Sequence, residues 1–176
     1  MPNGNRIHTW RAALFMLVIA SIFWLGSSIV RAVVGNSLLQ IGTLNFDEYI
    51  SPDAEREIYT LIAEINLVVI ISYAVAVVSS IVFLKTMPFR LKEHGWLMMS
   101  AILFYLFVPV ELFTMTIDAE MIYLHYFTTA GQYTFRELFI ARVAALSGTP
   151  LIGTLCYFTI IALAVFQPFR KPAAAS

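Results

Sequence analysis

Five polar side chains interrupt the apolar stretches of this chain in a pattern that could do chemistry: Arg31, Glu64, Asn66, Glu111 and Arg142. Glu111 is the most demanding. It stands in "VPVELF", residues 108–113, inside a run that is otherwise almost wholly apolar. A charge at the centre of a bilayer costs about 2.5–3.5 kcal/mol on insertion scales, so a carboxyl there must be protonated or paired. Pro109, two positions earlier, cannot donate to the carbonyl of Tyr105 and is a candidate helix kink. The freed carbonyl needs a donor from a neighbouring helix, a hydroxyl or water. A protonated Glu111 is one such donor, and water admitted by the kink would equally hydrate a carboxylate.

The two arginines are the natural counter-ions. Arg31, Glu64, Glu111 and Arg142 each fall toward the outer end of a different apolar stretch, so two cations and two anions can neutralise one another. Asn66 adds a donor and an acceptor close by, and His125 can approach from a loop. Two chemistries follow. One is a charge-balanced clamp that fixes helix register. The other is a site that binds a polar headgroup, a quinone or a proton, with Glu111 as the acid.

What positions these groups depends on the medium. Of 176 residues, 60% are hydrophobic and 12% charged, about half the roughly 25% charge of soluble domains. Apolar area on that scale would aggregate in water, so the bilayer is the expected solvent and lipid the first partner. Net charge is zero, which leaves no global basic surface for nucleic acid. The single cysteine, Cys156, cannot form an intramolecular disulfide, and no Cys/His cluster has the spacing of a metal site.

Four stretches can cross a hydrocarbon core that takes about 20 helical residues. They are residues 12–30, 65–84, 96–117 and 143–166. The expected fold class is therefore an all-α integral membrane protein of one domain, 1–176. It would be a four-transmembrane-helix bundle with short extramembrane helices on its outer side. Lengths near twenty residues without alternating polarity argue against a β-barrel. The first stretch exceeds a signal-peptide core and "SSIVRA" is a poor cleavage site, so an uncleaved span is expected.

Orientation follows from Lys and Arg in the flanks. Arg6, Arg11, Lys85, Arg90, Lys92, Arg170 and Lys171 fall on one side, and Arg31, Arg56, Arg136 and Arg142 on the other. The first side is the inner one, which places both termini there. The inner connection, 85–95, is short, whereas the outer connections 31–64 and 118–142 are long for a tight bundle. In the first, Ser51 reads as an N-cap, Pro52 as the first helical residue, and Asp53 and Glu55 as favourable first-turn charges. A helix is expected to start there, outside the membrane, and run on into the second span. In the second connection a short amphipathic helix fits residues 134–146, with Gly131 breaking it from what precedes. The tail "KPAAAS", 171–176, predicts no packed structure.

Several chemistries lack their signatures. Phosphate-binding and dinucleotide glycine patterns, HExxH, G-x-S-x-G and CxxC do not occur. His8, His94 and His125 all fall outside the expected spans, so a pair of intramembrane haem ligands is not available. No cofactor or metal is expected. Small residues Gly148, Pro150 and Gly153 suit close helix packing in the fourth span. Tyr123, Tyr126, Phe127, Tyr133 and Phe135 suit the headgroup level, or a docking surface. Together these features point to a non-catalytic accessory or assembly subunit of a larger membrane complex, or a homo-oligomer. The alternative is a small membrane enzyme or proton-coupled carrier for a lipophilic or quinone-like substrate, working through Glu111.

Overall fold

The computed structural model describes residues 4–40, 43–88, 90–128, 132–145 and 149–168. The fold is all-α, with five α-helices: α1 (Gly4–Asn36), α2 (Pro52–Thr86), α3 (Gly95–Phe127), α4 (Gln132–Ala144) and α5 (Thr149–Phe166). Three helices, over His8–Asn36, Pro52–Thr86 and Gly95–Phe127, are long and apolar enough to cross a membrane, and Pro150–Phe166 is a shorter apolar helix. This is the architecture of a multi-pass helical membrane protein. The tail 171–176 and Gly131 lie outside the described residues.

The helices begin and end where local chemistry dictates. Ser51 caps α2 through its hydroxyl, which accepts from the Ala54 amide at 3.3 Å. Pro52 follows as the first helical residue, and Asp53 and Glu55 sit in the first turn. That favours the positive end of the helix dipole. The helix then continues unbroken into the apolar run. A turn of 3-10 helix at Leu91–Glu93 closes the connection to α3.

Two boundaries differ from the sequence expectation. The stretch read as one span over 143–166 is divided: α4 ends at Ala144 and α5 starts at Thr149, so Arg142 belongs to the short helix. The other difference is Arg31, expected just beyond the first span, which lies inside α1 because that helix runs on to Asn36. Helical hydrogen bonding continues past the apolar run, carrying the charged residue along with it. Pro109 is inside α3, which is helical on both sides of it.

Burial falls on seven-residue stripes, the spacing that keeps one face of a helix against its neighbours. On α2 the buried polar residues Asn66, Tyr73 and Ser80 follow Tyr59 at this interval. On α3 the buried stripe includes Ser100, Phe107, Glu111, Thr114, Asp118 and Met121. Three apolar clusters stack along the bundle. The innermost is built on Ala13, Phe83 and Leu97. The middle one is aromatic, with Trp24, Tyr73, Phe107 and Tyr157 around Val69. The outermost joins Leu38, Tyr59, Ile62, Met121, Phe135 and Phe139. Gly35 lets Phe139 seat against α1, since a Cβ there would meet the ring at 2.8 Å.

Candidate functional site: a buried polar layer

Between the outer and middle clusters the bundle is crossed by charge. Asp118 on α3 is fully buried and is held by two arginines from different helices. Arg31 on α1 donates from Nη1 to Asp118 Oδ2 at 2.7 Å, and Arg142 on α4 donates from Nε to Oδ1 at 3.0 Å. The same Nη1 of Arg31 donates to Oδ1 of the fully buried Asn66 on α2, at 3.1 Å. One carboxylate therefore ties α1, α3 and α4 together, and the Arg31 guanidinium extends the tie to α2. Charge-assisted bonds of this kind are among the stronger ones.

Glu111 stands on the same stripe of α3, seven residues inward, about 10 Å along the axis. Its side chain is 4% exposed. The direct bonds of Arg31 and Arg142 just described go to Asp118 and Asn66, yet Arg142, Arg31 and Asp118 all act electrostatically on Glu111. It also acts on the hydroxyls of Tyr73 and Tyr157. Those two hydroxyls are hydrogen-bonded at 2.9 Å between α2 and α5. Trp24 on α1 closes this level, its ring 5.2 Å from Tyr73 and 4.4 Å from Tyr157, centre to centre. Phe104 packs against both tyrosines. One further level inward, Ser80 and Tyr105 are paired at 2.9 Å.

The helix directions make these levels regular. α1 and α3 run outward and α2 runs back, so equal steps of seven residues keep step with one another. Arg31, Asn66 and Asp118 share one level, and Trp24, Tyr73 and Glu111 share the next. Three buried donors around these two levels have no hydrogen-bond partner: Trp24 Nε1, Ser28 Oγ and Asn66 Nδ2. Unpartnered buried donors cost roughly 1–3 kcal/mol each, so they are a specific feature of this layer.

Of the residues expected to form a polar cluster, Arg31, Asn66 and Arg142 meet around Asp118, and Glu111 lies one level below them. Glu64 does not join. It is exposed, because two residues on from it Asn66 is turned about 200° around the helix. Asp118 takes the place assigned to it. By depth alone Asp118 belongs to the outer connection, but α3 continues to Phe127 and carries it inside. The seven-residue interval from Glu111, with Thr114 between them, was the available signal. His125 is also elsewhere, its ring edge-on to Tyr126.

A second ion pair lies at the outer end, where sequence reading assigned no site. Arg136 on α4 grips Glu55 on α2 with both ends of its guanidinium, Nε to Oε1 at 2.7 Å and Nη2 to Oε2 at 2.8 Å. Tyr59 donates its hydroxyl to the same carboxylate, and the Arg136 guanidinium covers the Phe46 ring at 4.6 Å. Glu55 lies ahead of the apolar run of α2. The Arg136 hydrogen bonds hold its carboxyl below the usual carboxylate range, against the opposing effect of burial. Arg136 is correspondingly held above its ordinary value by Glu55. This clasp fixes α4 and the Leu39 to Phe46 bridge as a cap on the bundle.

Among the described residues no group of three or more His, Cys, Asp or Glu side chains is placed to hold a metal. Comparison with protein-family models, with curated proteins and with solved structures finds no match to this chain.

Proposed function

We propose that this chain is a four-span membrane protein with both termini on the inner side, acting as a small proton-coupled carrier or enzyme for a lipophilic substrate through Glu111. The fourth span would be Pro150–Phe166, about 26 Å of helix, at the short end of what a core of about 30 Å requires. The positions of Lys and Arg support the orientation.

The observation that carries the reading is the contrast on one stripe of α3. Asp118 is bonded directly to two arginines, whereas Glu111 is equally buried and is influenced by them at longer range. A buried carboxyl not locked into direct ion pairs can change protonation without dismantling the helix contacts. Ionisable groups inside membrane helices mark proton and substrate paths by default.

The test is Glu111→Gln in vesicles with an internal pH dye. A proton site predicts a variant that stays helical, melts near the wild type and has lost proton movement. If the variant instead melts early and the wild type moves no protons, Glu111 is a structural clamp and the reading is wrong.

A second reading has its own observation. Tyr49 is 96% exposed and Phe127 74%, with Tyr123 and Tyr126 also exposed, around a cap held rigidly by Glu55 and Arg136. Such a rim suits a non-catalytic accessory or assembly subunit docking to another membrane protein or to a second copy. Purification in mild detergent decides it: a strictly monomeric protein without a partner removes this reading.

A further inference from the structure

We propose that the space between the Glu111 level and the Asp118 level binds an oxyanion of the carboxylate type, taken up together with one proton on Glu111. The inference rests on the proton-site reading and names the substrate class that would accompany the proton.

Charge is the first argument. Arg31 and Arg142 contribute two positive charges, and Asp118 and an ionised Glu111 contribute two negative ones, so the layer is neutral. Protonating Glu111 leaves one uncompensated positive charge in a buried, low-dielectric setting, where its attraction for an anion is strong. A proton and a monoanion entering together restore neutrality. The other titratable groups around Glu111 are Tyr73 on α2 and Tyr157 with Cys156 on α5. Neither tyrosine supplies positive charge, so the arginines alone set the sign.

Unfilled hydrogen-bonding capacity is the second argument, and it is independent of charge. Trp24 Nε1, Ser28 Oγ and Asn66 Nδ2 are buried donors without partners. Trp24, Ser28 and Arg31 follow one another on a single face of α1 at intervals of four and three residues. Asn66 is fixed at the upper level, because the other end of the same amide accepts from Arg31. A further hydrogen is supplied by the Tyr73 and Tyr157 pair, since only one of the two hydroxyl protons is used between them. The layer is therefore rich in donors, and a ligand suited to it brings acceptor oxygens. A carboxylate, with two acceptor oxygens and one negative charge, answers both arguments. A small dissolved carboxylate and the headgroup of a membrane-borne fatty acid share this chemistry.

The experiment titrates the detergent-solubilised full chain with sodium acetate and with sodium octanoate at pH 6 and pH 8, by calorimetry and by thermal shift. Wild type is expected to bind at pH 6 and about ten-fold more weakly at pH 8, a difference of about 1.4 kcal/mol. Glu111→Gln, which mimics the protonated side chain, is expected to bind equally at both pH values, near the wild-type affinity at pH 6. Trp24→Phe keeps the aromatic packing and removes one donor, and it is expected to weaken binding several-fold. Binding of octanoate alone assigns the anion to the membrane, and binding of both assigns it to solution; either supports the site. No binding of either anion to wild type at pH 6 overturns the proposal, as does a pH dependence that survives in Glu111→Gln. Proton movement lost in Glu111→Gln while no anion binds overturns only this inference and leaves the proton site standing.

Discussion

Asp118 and Glu111 are the same kind of group on the same buried stripe of α3, and the fold treats them differently. Asp118 is satisfied directly by Arg31 and Arg142. Glu111 is surrounded by aromatic rings and a tyrosine pair, and reaches the arginines only through the field. Burial alone does not define a role; the partner geometry does. A carboxylate with its hydrogen bonds filled is part of the framework, whereas one enclosed without such bonds keeps the freedom to exchange a proton.

The largest way to test this contrast is to remove the framework member. Asp118→Ala leaves two buried guanidiniums facing each other, and breaking a buried pair costs about 3–5 kcal/mol. Detergent unfolding should show a loss on that scale, well beyond any loss in Glu111→Gln. Equal losses in the two variants would mean that Glu111 is framework as well.

The outer clasp gives a pH test that separates it from both inner carboxyls. The folded-state value of Glu55 is depressed below its ordinary 4.5, so its contribution is fully present above that pH and is lost as pH falls through the folded value. Stability of the cap should decline below about pH 4.5. Arg136→Gln should abolish that acid-dependent part, as read from thermal unfolding monitored at the tyrosines.

A smaller effect is expected at the level of Glu111. Tyr157→Phe removes the hydroxyl bonded to Tyr73 and should cost about 1 kcal/mol, measurable as a modest drop in melting temperature. If proton movement also falls, the tyrosine pair belongs to the path and not only to the packing. The smallest effect belongs to Glu64. On the exposed face of α2, Glu64→Gln should change stability by less than about 0.5 kcal/mol, and a larger loss would show that it joins the polar layer after all.

Much of this was legible beforehand for identifiable reasons. The Ser51 and Pro52 cap, the unbroken pattern after it and the lengths of the apolar runs are local properties, and α2 begins where they say. The expected gathering of Arg31, Asn66 and Arg142 came from depth, which helical rise converts into position. Rotation around the helix axis was harder to see. It turned Glu64 outward and Asp118 inward, and it follows from which faces the neighbours occupy. Glu55 and Arg136 were both visible as charges, but 81 residues separate them, and no local rule pairs groups so far apart.

Composition and periodicity by themselves determined the medium, the helical class and the existence of a buried acid, because each depends on how many apolar residues occur in succession. Which acid is held by arginines and which is left among the aromatic rings was decided only when α1, α2, α3 and α4 packed together. Side-chain hydrogen bonds operate within about 3 Å, and only tertiary packing brings residues that are distant in the chain within that range.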